Sequence, residues 1–158
     1  HVHGEPGTDG FVHVLDLDEE WAYCLDLPPE FGAGELELTA LAVSPAGGEL
    51  AVLDLNVGRL VLASTDDLAV TETVDLPDGS GLSAEVVEPH RLHLGLFPDH
   101  VAVGWDDQLQ WLARPSLDEV ARRALDDPLM GLTSFDSTLL AWPQDLRSGP
   151  TQISLPTG

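Results

Sequence analysis

Units of about fifty residues, each closed by a proline, constrain this chain more than any other feature. Leu27-Pro28, Leu76-Pro77 and Asp127-Pro128 end successive stretches of similar layout. Gly10-Phe11-Val12-His13-Val14 in the first stretch matches Gly58-Arg59-Leu60-Val61-Leu62 in the second. Asp107-Gln108-Leu109-Gln110-Trp111 matches them more loosely in the third. In the middle stretch short apolar runs alternate with turn residues. Leu38 to Ser44 reads as a strand, and Ser44-Pro45-Ala46-Gly47-Gly48 as the turn after it. Leu50 to Leu55 is a second strand, ended by Asn56-Val57-Gly58, and Leu60 to Ser64 a third. Asp66-Asp67 makes the next turn, and Leu68 to Leu76 alternates as a fourth strand. Val70, Thr71, Thr73 and Val74 favour extended backbone, because branching at Cβ suits a pleated surface.

A unit of four antiparallel strands recurring at this period is the signature of a β-propeller blade. A β-sandwich also has short strands and frequent turns but gives no reason for the repeat. The expected fold is all-β, a propeller of about three four-stranded antiparallel blades. Residues 1–28 form the end of a blade, 36–77 and 82–128 two further blades, and 129–158 the start of another. Phe11 to Leu17 and Trp21 to Leu27 are the strands expected in the first. Met130 to Phe135, Thr138 to Trp142 and Thr151 to Leu155 are those expected in the last. About thirteen strands are too few for a ring that closes with four to eight blades. Even if the N-terminal pair completed the C-terminal blade, only three blades would result. The chain is therefore expected to be part of a larger ring, cut within its first blade. It begins with His1 rather than Met and shows no signal peptide, which suggests processing or truncation.

One segment departs from this pattern locally. Ser116-Leu117-Asp118-Glu119 has the form of a helix capping box. Leu117, Val120, Ala121, Ala124 and Leu125 then fall at helical spacing, with Arg122 and Arg123 facing the other way. Its place in the repeat is that of the fourth strand. Ser116 to Leu125 is read as strand, because an outer strand is partly exposed and tolerates such composition, with a short helix as the alternative.

Thr39-Ala40-Leu41-Ala42-Val43-Ser44-Pro45-Ala46-Gly47, Leu50-Ala51-Val52-Leu53-Asp54 and Gly58-Arg59-Leu60-Val61-Leu62 together resemble a YVTN-type β-propeller repeat, related in layout to WD40-like repeats. Ala46 stands where that repeat has Asp, and Ala51-Val52-Leu53-Asp54 replaces its signature tetrapeptide. The third copy keeps the spacing, with Phe97-Pro98-Asp99 in place of Ser-Pro-Asp-Gly. A composition without lysine and rich in Ala, Gly, Leu and Val resembles proteins of high-GC actinobacteria. The resemblance implies an extracellular or cell-envelope location, since such repeats occur in surface-layer and secreted proteins.

Charge and cysteine usage exclude several classes. Acidic residues number 28 against 6 basic ones, a formal charge of −22. Such a surface repels phosphates, so neither nucleic acid nor an anionic membrane is an expected partner. No apolar run approaches the length of a membrane helix. The single Cys24 excludes an internal disulfide framework and any site built from several cysteines. Cys24 lies in the alternating run Trp21-Ala22-Tyr23-Cys24-Leu25, where it is expected to be a small buried hydrophobe.

The candidate metal ligands are His90, His93 and His100, with Asp99 placed to orient an imidazole. The competing reading makes them polar residues at a blade edge. His1 and His3 flank Val2 but read as a frayed terminus. Asp16, Asp18, Glu19 and Glu20 cluster in a turn without the spacing of a calcium loop. Asp66-Asp67, Asp106-Asp107 and Asp126-Asp127 occupy turn positions. No nucleophile elbow is present, since Gly79-Ser80-Gly81 lacks its spacing. Trp21, Trp105, Trp111 and Trp142 are read as packing between sheets, the alternative being a ligand groove.

No catalytic or cofactor-binding residue and no cofactor follows from these motifs. The expected function is a non-catalytic binding or scaffold module. Its expected partner is the remaining propeller blades or another copy of the chain. The alternative is a fragment of a propeller enzyme of lactonase or quinone-dependent dehydrogenase type, as the resemblance implies. A third reading is a sensor domain attached to a segment outside this chain.

Overall fold

A computed structural model of the 158-residue chain describes residues 2–3, 10–18, 20–87, 92–145, 147 and 149–154. The strands are β1 (Val2–His3), β2 (Phe11–Asp16), β3 (Trp21–Asp26), β4 (Thr39–Val43), β5 (Glu49–Asp54), β6 (Arg59–Ser64) and β7 (Ala69–Asp75). They continue as β8 (His93–Leu96), β9 (His100–Trp105), β10 (Gln108–Ala113), β11 (Glu119–Ala124), β12 (Leu129–Phe135), β13 (Thr138–Pro143) and β14 (Thr151–Ser154). Strands hold roughly half the chain, about twice the share usual in globular proteins. The only helical turn among the described residues is a 3-10 turn over Leu36–Leu38.

The strands form four antiparallel sheets in chain order: β1-β2-β3, β4-β5-β6-β7, β8-β9-β10-β11 and β12-β13-β14. Every pairing joins consecutive strands. Hairpin turns fix this register. The β9–β10 and β12–β13 connections contain two residues each, and their first residues, Asp106 and Asp136, have φ of 48° and 50°. That left-handed backbone suits the right-handed twist of a hairpin, and Asp tolerates it better than most residues.

Burial shows how the sheets stack. Along β5, Leu50, Ala51, Val52, Leu53 and Asp54 are all buried, and the middle of β6, β9 and β10 is equally continuous. A strand buried at every position has a sheet against both of its faces. The outer strands β7 and β11 are exposed along most of their length. Three cores result. Val12, Leu25 and Leu27 meet Leu50, Val52 and Val61 between the first and second sheets. Ala40, Ala42, Leu53 and Leu60 meet Leu94, Leu96, Val101 and Val103 between the second and third. Ala102, Leu109 and Trp111 meet Leu139, Ala141 and Ile153 between the third and fourth. The first strands of the last three sheets, β4, β8 and β12, touch one another and mark the inner side. Ser134 Oγ on β12 donates to the Val43 carbonyl on β4 at 3.3 Å.

Some expectations hold and others are corrected. Among the described residues two four-stranded blades are flanked by two three-stranded sheets, because β1 joins the N-terminal pair. The N-terminal pair does not complete the C-terminal sheet. The strand expected within Ser116 to Leu125 is present as Glu119–Ala124, paired with β10, and the helical alternative is not taken up. Cys24 is exposed rather than buried, because the face it occupies has no sheet against it. Trp105 and Trp111 pack between sheets, whereas Trp21 and Trp142 are 65% and 41% exposed.

Candidate functional site

The histidines singled out by sequence do not converge. His93 opens β8 and pairs in register with Gly104, while His100 opens β9 at the other end of the same hairpin. His90 lies outside the described residues. Burial lowers the His93 pKa below 6.5, against an opposing backbone hydrogen bond with Leu129. His100 Nδ1 lies 2.9 Å from Asp99 Oδ1, and that contact holds the exposed Asp99 carboxyl below its usual range. Among the described residues, no group of three or more His, Cys, Asp or Glu side chains is placed to hold a metal ion. Asp18 and Glu20 lie in the β2–β3 turn, where Glu19 is outside the described residues and of Asp16 only the backbone is placed. Of His1 and His3, only the backbone of His3 is placed, in β1.

The polar side chains that are buried tie the crossovers between sheets. Asp54, fully buried at the end of β5, accepts from the Gly32 amide at 2.9 Å and from the Asn56 amide at 2.9 Å. Asn56 Nδ2 donates to Asp54 Oδ1 at 2.8 Å and to the Glu35 carbonyl at 3.0 Å. The segment between β3 and β4 is thereby fixed to the β5–β6 turn. The next crossover is held similarly. Gln110 Nε2, on β10, donates to the Ser80 carbonyl and to Glu119 Oε2, both at 2.7 Å. Arg122 donates to the same carbonyl at 3.1 Å and lies 5.9 Å from the Trp105 ring centre. At the opposite end of the sheets, Arg114 grips Glu49 with two contacts of 2.8 Å, joining the second and third sheets, and donates to the Phe97 carbonyl. Charge-assisted, two-point contacts of this kind fix relative orientation as well as adding attraction.

Exposed apolar side chains gather at the two ends of the row of sheets. The β2–β3 and β12–β13 registers assign the faces. Phe11, His13, Leu15, Ala22, Cys24 and Asp26 share the outward face of the first sheet, and Leu15 is 66% exposed. Thr133, Phe135, Leu140 and Trp142 share the outward face of the fourth, and Phe135 is 62% exposed. Leu139 and Ile153 point the other way, into the third sheet, and Val12 and Val14 pack against the second. Among the described residues β14 carries no strand on its outer edge, and β1 none on its inner edge. Unpaired edges beside apolar faces are sites of strand addition or sheet stacking. A groove of about 620 Å³ between the β5–β6 turn and the loop over 77–86 is open and holds the solvent-facing Arg59–Asp75 pair.

Comparison with known proteins agrees at the level of fold. No family model matches the chain, and no curated protein matches its sequence. Among solved structures, the crystal structure of a mitotic checkpoint complex aligns over 92% of this chain and 42% of its own, with a TM-score of 0.56 and 14% identity. AztD from Citrobacter koseri aligns over 85% of this chain and 38% of its own, with a TM-score of 0.49 and 12% identity. The Cps50 (Swd1) β-propeller domain of Myceliophteria thermophila aligns over 77% of this chain and 35% of its own, at 0.46 and 11%. The chain thus spans 35% to 42% of the length of these solved chains. The architecture is that of a β-propeller with an open ring.

Proposed function

We propose that this chain is a non-catalytic binding or scaffold module of a propeller, with repeats of YVTN type, and that its principal partner is further propeller. The remaining blades of a longer polypeptide or another copy of the chain would serve. The observation that carries this reading is the pair of apolar end faces, headed by Leu15 and by Phe135 and Trp142. Each lies where an internal blade would meet its neighbour. The charge of −22 opposes non-specific aggregation without covering either face. The resemblance of the repeat supports an extracellular or cell-envelope location. Light scattering of the 158 residues at tens of micromolar, together with binding of the dye ANS, tests the reading. Self-association or dye binding is expected. A sharp monomer that binds no dye and unfolds cooperatively would overturn it.

A further inference from the structure

The face of the second sheet that meets the first is covered unevenly. Its β5 and β6 residues, Leu50, Val52, Val61 and Ala63, are buried beneath the first sheet. Its β4 residues, Leu41 and Val43, pair with Val52 and Leu50 on the same face yet are 37% and 47% exposed. Among the described residues the first sheet has the three strands β1, β2 and β3, and none of these covers β4. A cavity of about 280 Å³ runs along the inner side of β4, lined by Leu41, Ala42 and Val43, by Leu94 of β8 and by Leu132, Thr133 and Ser134 of β12, and opens beside this bare face.

The two interfaces that are filled show what this place accepts. Between the second and third sheets, β4 presents Ala40 and Ala42 to a core containing Leu94 and Leu96 of β8. Between the third and fourth, Gly95 of β8 and Gly104 of β9 face leucines of the next sheet. A Cβ on Gly95 would fall 2.7 Å from Leu139 Cδ1, and one on Gly104 2.6 Å from Leu129 Cδ1. At these two interfaces the inner strands β4 and β8 turn Ala40, Ala42 and Gly95 toward the next sheet, whose leucines fill the space. Close packing of this kind leaves no room for added side-chain volume.

Resting on the reading of the chain as part of a propeller, we propose that the bare β4 face is a slot for one extended strand. That strand is the innermost strand of a further stretch of propeller, and it presents Ala or Gly at alternate positions to Leu41 and Val43. The slot continues an established sheet–sheet interface, and its large side is already in place.

A labelled synthetic peptide with the sequence of residues 38–44 carries this pattern, its small positions being Ala40 and Ala42. Fluorescence anisotropy against the full 158-residue chain would measure its binding. Saturable binding is expected. A peptide carrying both Ala40→Leu and Ala42→Leu is expected to bind at least about tenfold more weakly, because two positions are overpacked. Val43→Asp in the protein is expected to weaken the unmodified peptide similarly, with the circular dichroism unchanged. The peptide pair requires no protein variant and so does not depend on how that variant folds. Equal binding of both peptides, or none by the alanine form, would overturn the slot and its preference. Self-association and dye binding would still judge the broader reading separately.

Discussion

At the residue scale, a few buried polar groups decide how the sheets join. Asp54 receives three hydrogen bonds and reaches 22 residues back to Gly32. Asp54→Ala would strand those donors in the interior, and chemical denaturation should show a loss of about 2–3 kcal/mol. The Arg114–Glu49 pair is largely buried and bidentate. In a double-mutant cycle with Arg114→Ala and Glu49→Ala, a coupling of about 1–3 kcal/mol is expected, and additivity would refute the link between sheets. His93 sets a pH dependence. Its folded pKa lies below 6.5 because burial disfavours the imidazolium, so the unfolded chain takes up a proton first as pH falls. Stability from this residue is full above 6.5 and declines as pH drops through the lower folded value. Denaturant midpoints between pH 7.5 and 5 should fall less steeply for His93→Gln than for the natural sequence. In the sequence Asp54 ends the segment that replaces the signature tetrapeptide, but its partner Gly32 lies outside that unit, so the tie was not legible there.

At the element scale, strand identity was legible because alternation and turn residues act locally. Thr39–Val43 to Ala69–Asp75 fall almost where the apolar runs place them. Glu119–Ala124 tested the limits of that reading. Alone, its spacing satisfies a helix; the ladder with the neighbouring strand β10 overrides propensity. Sheet spacing was not legible, because it depends on which glycines face which leucines. Gly104→Ala should lower stability by about 1–3 kcal/mol, since the new Cβ would lie 2.6 Å from Leu129 and 2.7 Å from Leu132. Adding Leu132→Ala should recover less than the full loss, because Leu129 remains; thermal unfolding of the single and double variants checks this.

At the scale of the whole molecule, charge and apolar end faces oppose each other. A chain of net charge −22 repels its copies over a distance set by salt. Raising sodium chloride from about 0.05 to about 0.5 M should therefore increase the light-scattering mass, since screening removes the repulsion and leaves the end faces attractive. A mass unchanged by salt would mean that the faces around Leu15 and Phe135 do not associate. Trp142, on the outward face of the fourth sheet, reports the same geometry, whereas Trp21 is exposed on the outer strand of the inward face. Sequence placed all four tryptophans between sheets, but only Trp105 and Trp111 have a sheet on each side.

By itself the sequence determined the β class, the repeat and most strand limits, because each follows from hydrophobic period and turn chemistry within a few residues. It also excluded convergent cysteines and a basic binding surface by composition alone. Tertiary structure alone decided which faces are covered. Leu139 and Leu140 are neighbours in one strand, yet one is fully buried and the other only half-buried. Cys24 and Leu25 divide in the same way. Alternation assigns residues to two faces but carries no information on which face meets another sheet. That depends on residues about fifty positions away, and at both ends of this chain the covering sheet is not among the described residues.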